Sequence, residues 1–126
     1  ARIAARDHAA VWKNGETLVI NHDGVGAPGA VGVAGKGTLV RSALRELRAA
    51  GRPARRIILP LGTGTDAMPL GAAGLSVLTI TTARLSKAVL AIHTTRDVAA
   101  NLDLAALAAA ADVTETLVRA QDVLRQ

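Results

Sequence analysis

Two hydrophobic rhythms run through the chain, short apolar runs bounded by glycine and longer stretches in which apolar residues return every three or four positions. Thr17-Leu18-Val19-Ile20 is a short run rich in β-branched residues and predicts a buried strand. Ala30 to Val33 predicts a second short strand, ahead of Gly35-Lys36-Gly37. A helix is expected from about Thr38 to Ala50, N-capped by Thr38 and stopped by Gly51 and Pro53. Arg56-Ile57-Ile58-Leu59-Pro60 reads as the next strand. The loop Leu61 to Asp66 leads into a short helix from Ala67 to Ala73, which Gly74 ends, and Leu75 to Ile80 is strongly strand-like. Thr81 to Ile92 reads as loop, short helix or both. The last element is a helix capped by Asn101 or Asp103 and running nearly to Gln126, with Leu104, Leu107, Ala111 and Thr114 on one face and Leu117, Val118 and Leu124 extending it. Ahead of all these, Ala1 to Trp12 is Ala- and Arg-rich and could be a helix, and Asn14-Gly15 marks a turn.

Strands alternate with helices, so the expected class is α/β, a single domain over residues 1–126 with helices packed on a central sheet. Half the residues are apolar but only 1% are aromatic, with one Trp and neither Phe nor Tyr. The core must be aliphatic, and a binding face of stacked aromatics is excluded. No cysteine is present, which excludes disulfides, thiolate zinc sites and cysteine nucleophiles together. No apolar run reaches the roughly 18 residues a membrane span requires.

The net charge of +5 raises nucleic acid as a partner. Arg41, Arg45, Arg48 and Arg52 recur at helical spacing beside Val40, Leu44 and Leu47. That pattern is read first as a solvated helix face beside a buried aliphatic stripe.

Three polar clusters follow strand-like runs: His22-Asp23, Thr65-Asp66, and His93 with Asp97. In an α/β protein such positions can converge on one rim of the sheet, where an imidazole and carboxylates have the composition of a divalent-metal site. Singly, each is also what a turn uses. Other motifs fall short. Gly24-Val25-Gly26 opens no helix, Gly35-Lys36-Gly37-Thr38 is only part of a phosphate loop, and Ser42, Ser76 and Ser86 lack a nucleophile-elbow context.

The order of the clusters resembles the C-terminal half of the co-catalytic dizinc aminopeptidases, the superfamily of bacterial leucyl aminopeptidases, glutamate carboxypeptidase and transferrin-receptor-like proteins. Val19-Ile20-Asn21-His22-Asp23-Gly24-Val25-Gly26 is similar to one of its strand-plus-loop motifs. Gly64-Thr65-Asp66-Ala67-Met68-Pro69-Leu70 with Ala73 to Ile80 is similar to a second, and Ile92-His93-Thr94-Thr95-Arg96-Asp97 with Asn101-Leu102-Asp103 to a third. The resemblance spans about Thr17 to the C-terminus. It implies a mixed β-sheet sandwiched by helices and truncated at its N-terminus. Asp23 would be the carboxylate ligand of one zinc and His93 the imidazole ligand of the other. Thr65, Asp66 and Asp97 would line the site, Asp97 on the loop that orients His93. His22 departs from the family pattern, where an apolar residue is usual, and is expected to carry no metal.

The family's N-terminal half supplies a His-x-Asp pair, a bridging Asp and a Glu-Glu pair with the general base. Neither Asp7 nor Glu16 lies in a matching motif. Zinc wants about three protein ligands even in an open site, so this chain alone is expected to be inactive, with its two zinc positions empty. Three functions follow in order: part of a zinc peptidase acting on peptides with a separate N-terminal half; a non-catalytic binding module that needs a partner or self-association; and, last, a nucleic-acid binder using the arginine stripe.

Overall fold

The computed structural model of the protein describes residues 17–59, 65–84, 94 and 98–124. Four strands form one sheet in the order β1-β4-β2-β3, where β1 is Leu18–His22, β2 is Val31–Gly35, β3 is Ala54–Arg56 and β4 is Ser76–Thr82. β1 runs parallel to β4, β4 antiparallel to β2, and β2 parallel to β3, so the sheet is mixed. Two long helices, α1 (Gly37–Ala49) and α3 (Leu104–Arg119), accompany it with two short ones, α2 (Ala67–Ala72) and α4 (Gln121–Leu124). The α/β class expected from the alternation is therefore present, and so is a mixed sheet, which only the resemblance implied. The segment β2-α1-β3 is a crossover unit that returns to a parallel neighbour, and it places α1 over β2, β3 and β4.

The core lies between one face of the sheet and the two long helices. Val31 and Val33 of β2 and Leu78 and Ile80 of β4 point to that face, with Leu18 and Ile20 of β1 packed beside them. Val40, Ala43 and Leu47 of α1 and Ala110, Val113 and Leu117 of α3 close over them. Side chains such as Leu47, Leu78, Ile80 and Leu117 are fully buried. Each contributes about 1.5–3 kcal/mol through removal from water. Among the described residues both long helices sit on this same face, and α1 and α3 touch each other as well as the sheet.

The arginine stripe of α1 is the solvated face that the spacing implies, since Arg41, Arg45, Arg48 and Arg52 are exposed and Val40 and Leu47 are buried. Arg52 also reaches Asp112 of α3 at 2.9 Å, tying the two helices together at the surface. The helix starts earlier than Thr38. β2 continues through Gly35, Lys36 takes the N-cap position without any side-chain capping bond, and Gly37 is already helical. Its end agrees with expectation: Gly51 adopts φ +69°, its N–H donates to the Arg48 carbonyl at 3.1 Å, and the Arg52 N–H donates to the Leu47 carbonyl at 2.8 Å. That pair of bonds needs the left-handed residue glycine supplies. At the start of α3, Asp103 is the cap, accepting from the Ala105 and Ala106 N–H groups at 2.9 and 3.1 Å. Asn101 instead ends a short 3₁₀ turn, Ala99–Asn101.

Two further expectations need correction. The third strand is Ala54–Arg56 rather than 56–60. Ile57 still donates its N–H to the Val33 carbonyl at 2.9 Å, but Ile58 is 79% exposed, so the apolar run follows the paired segment rather than forming it. The inward face of α3 is Ala110, Val113 and Leu117, so Leu117 and, in α4, Leu124 are buried as expected, whereas Leu104, Ala111 and Val118 are exposed. Alanine at six positions between 105 and 111 gives little contrast between the sides of this helix. The proposed helix over Ala1 to Trp12, the loop 61–64 and the segment 85–92 lie outside the described residues.

Candidate functional site

Asp23 follows the last residue of β1. Its N–H donates to the Ile80 carbonyl at 3.0 Å, which carries the β1–β4 pairing one residue further and fixes where the side chain begins. Asp23 is half-buried, and its carboxylate makes no hydrogen bond or ion pair with a described residue. A carboxylate at the carboxyl end of a parallel strand pair, ahead of a glycine loop, is in the place where α/β sheets put ligand-binding groups. His93 and Asp97, the other metal-linked positions, lie outside the described residues.

His22, one residue earlier on the edge strand, has a different engagement. Its Nε2 lies 2.7 Å from Thr114 Oγ1 of α3, and that hydroxyl donates to the Ala110 carbonyl at 2.8 Å. When the hydroxyl donates to Ala110, the tautomer with hydrogen on Nε2 completes the contact. The ring thus ties β1 to α3.

The Thr65-Asp66 pair opens α2. The Thr65 carbonyl accepts the Met68 N–H at 3.1 Å, and Asp66 stands at the N-cap in a helical conformation without a side-chain capping bond. Asp66 is exposed, whereas Thr65 is 6% exposed and its buried hydroxyl has no hydrogen-bond partner. Thr65 lines a cavity of about 680 Å³ shared with Lys36, Thr38 and Ser42 at the start of α1, and with Val77 and Thr79 of β4. Neither Asp23 nor Asp66 lines it. Along β4 the cavity occupies the Ser76–Thr79 half, while Asp23 is bonded at Ile80.

The face of the sheet turned away from α1 and α3 carries the polar character. Asn21 of β1 pairs in register with Thr79, and Thr81 lies beside Gly32, at which an added Cβ would meet the Ile57 and Thr81 side chains. Thr79 and Thr81 are buried, and the Asn21 amide nitrogen is buried without a hydrogen-bond partner. In the sequence Asn21 has no role of its own, Lys36 falls only in a partial phosphate loop, and the cavity leaves no trace of its own. The available signals were the Leu78-Thr79-Ile80-Thr81 alternation and the incomplete phosphate-loop fragment at Gly35.

Among the described residues no group of three His, Cys, Asp or Glu could hold a metal ion. One carboxylate does not satisfy zinc, so the described residues do not fit a complete zinc site. Among them, too, no helix is long and apolar enough to cross a membrane.

What these elements define is a small α/β protein with a four-stranded mixed sheet and its long helices on one side. No family model matches the chain, and neither a curated protein nor a solved structure matches it.

Proposed function

We propose that the chain is a portion of a dizinc, aminopeptidase-type metallopeptidase, with Asp23 a carboxylate ligand of one zinc and His93 an imidazole ligand of the other. The observation that supports this reading best is the placement of Asp23, a half-buried carboxylate without a partner among the described residues, at the carboxyl end of the parallel pair β1–β4. The order of the three motifs along the sequence supports it independently. In a complete domain of this kind, two zinc ions act on the carbonyl of an N-terminal peptide bond and on the attacking water. The remaining ligands and the general-base glutamate would come from polypeptide beyond these 126 residues. The described residues form no zinc site by themselves, so no catalytic step is assigned to them.

The test is reconstitution. The 126-residue chain is mixed with a polypeptide carrying the His-x-Asp and Glu-Glu motifs, then assayed for retained zinc and for release of an N-terminal residue from a leucyl anilide. Zinc retention and hydrolysis are expected, and Asp23→Ala should lower both by at least about a hundredfold while leaving the far-UV spectrum unchanged. A folded mixture that retains no zinc, or an Asp23→Ala mixture as active as the parent, removes the reading.

A further inference from the structure

We infer that the exposed face of α1, together with Arg56 of β3, is a docking surface for the phosphate backbone of double-stranded DNA. It uses none of the residues of the metallopeptidase reading and does not depend on it.

Charge is distributed unevenly along the chain. Residues 36 to 56 hold one Lys, six Arg and a single Glu, a net charge of +6 that exceeds the +5 of the whole chain. The fold gathers most of these cations on one surface. Arg41, Arg45 and Arg48 are exposed and lie within about 60° of one another around the helix axis. Leu39, Val40, Ala43 and Leu47 are buried on the other side of α1. β3 extends the surface beyond the helix. Arg56 stands opposite Val33, whose side chain belongs to the core under the helices, so Arg56 is on the same side of the sheet as α1. Guanidinium nitrogens of Arg41 and Arg56 each lie 3.8 Å from where a Cβ on Gly37 would stand, and so no more than twice that distance apart. Lys36, the neighbour of Gly37 in the chain, is exposed as well.

These cations are not neutralised from within. Lys36, Arg41, Arg48 and Arg56 form no ion pair with a described residue. Arg45 meets Glu46 at 3.2 Å while its side chain stays 66% exposed. Arg52 pairs with Asp112 of α3 and is left out of the surface. Like charges four residues apart on a helix, as Arg41 and Arg45 are, weaken it. A polyanion removes that repulsion and gains further from the counterions it releases.

The make-up of the surface selects the partner. Arginine outnumbers lysine four to one in it, and a guanidinium grips phosphate through two parallel N–H bonds. No large apolar residue is exposed on α1, so the surface lacks the apolar centre on which protein interfaces are built. An anionic membrane suits a helix that lays an apolar face into lipid, and that face of α1 is already buried in the core. A single nucleic-acid strand is held by stacking on aromatic rings, and the chain has one Trp and neither Phe nor Tyr. Among duplexes, the major groove of DNA is about 12 Å wide and admits a helix between its flanking phosphates, whereas that of RNA is deep and narrow. Arg41 and Arg48 are about 10 Å apart along α1, a spread that suits phosphates on the two sides of such a groove.

The test follows the fluorescence anisotropy of a labelled DNA duplex mixed with the 126-residue chain between about 50 and 200 mM salt. With the five cations engaged, log K should fall against log salt with a slope of about −4 to −5. Replacing Arg41 and Arg48 together by Ala should make the slope shallower by about two and weaken binding at least about tenfold at the lowest salt. The far-UV spectrum should not change, because alanine suits an exposed helix position. One residue apart on β3, Arg56→Ala should lower the slope by about one, whereas Arg55→Ala, opposite Gly32 on the other face of the sheet, should leave it as in the parent. Absence of binding at the lowest salt, an unchanged slope in the double variant, or equal effects at Arg55 and Arg56 overturns the surface. Duplex RNA of the same sequence, phosphatidylserine vesicles or polyglutamate bound as tightly as the DNA overturns the choice of partner.

Discussion

The two faces of the sheet are equally buried and differently made. Toward α1 and α3 the strands present Val31, Val33, Leu78 and Ile80, with Thr82 opposite Val31 at the end of β4, none more than 4% exposed. On the other side they present Ala34, Thr79 and Thr81, none more than 3% exposed, with Asn21 alongside. The first face has an evident purpose, because aliphatic surface packed under two amphipathic helices is what drives folding of a chain with almost no aromatic residues. The second gains less from burial. Its Asn21 amide nitrogen is unpartnered, and the other unpartnered buried polar atom among the described residues, Thr65 Oγ1, belongs to a cavity that Thr79 also lines. Neither of these two atoms belongs to the aliphatic core under the helices, and buried polar groups without partners call for an explanation that a packed core does not supply.

The sharpest way to break this contrast is a pair of substitutions one residue apart. Ile80→Ala opens a cavity under both helices and should cost about 2–5 kcal/mol in denaturant unfolding. Thr81→Val, on the opposite face, keeps the shape and removes only a hydroxyl, so it should stay within about 1.5 kcal/mol of the parent. Equal losses at the two positions would show that the polar face is packed as tightly as the aliphatic one, and the distinction would fail.

Asn21→Val tests the polar face from the other direction. An unpaired buried amide penalises the folded state, and valine suits a strand, so this substitution should stabilise the chain by about 1 kcal/mol. Destabilisation instead would mean that the amide is satisfied in solution, and the contrast with the aliphatic face would lose that atom.

How far these features could be read from the residues depends on contrast between neighbours. α1 was legible because Leu39, Val40, Ala43 and Leu47 alternate with arginines, so only one face could be buried. α3 was legible as a helix but not in its orientation. Its alanines present almost the same surface on every side, and the side chains that settle the matter, Val113 and Leu117, are too few to dominate the pattern. The run Ile57-Ile58-Leu59 suggested pairing, yet only Ile57 continues the hydrogen bonding to β2. The start of α1 misled for a related reason: Thr38 is a good capping residue, but the length of β2 leaves only Lys36 between strand and helix. Of the candidate site, the placement of Asp23 after a strand followed from the apolar run before it. Nothing local to Thr65 indicated that it would share a cavity with Lys36, because the pairing of β2 with β4 that brings them together is a long-range contact.

A pH series refines the comparison at its smallest scale. Neither Ile80 nor Asn21 titrates, so the effects of Ile80→Ala and Asn21→Val should be flat from neutral to acid pH. The acid sensitivity of the helix layer should come in part from its outer surface, where Arg119 donates to Glu115 Oε1 through Nη2 at 2.7 Å and Nε at 3.1 Å. That hydrogen bonding, followed by the attraction of the guanidinium charge, holds the Glu115 carboxyl below its ordinary value. A carboxyl depressed in the folded state adds stability that is fully present above its unfolded pKa and disappears as pH falls through the folded one. The parent should therefore lose slightly more stability than Glu115→Gln between about pH 5 and pH 3. Because the pair is fully exposed and screened by solvent, the difference should be the smallest of the series and should shrink further in added salt. Denaturant unfolding of both proteins across that range measures it, and identical slopes would show that the pair contributes nothing to the fold.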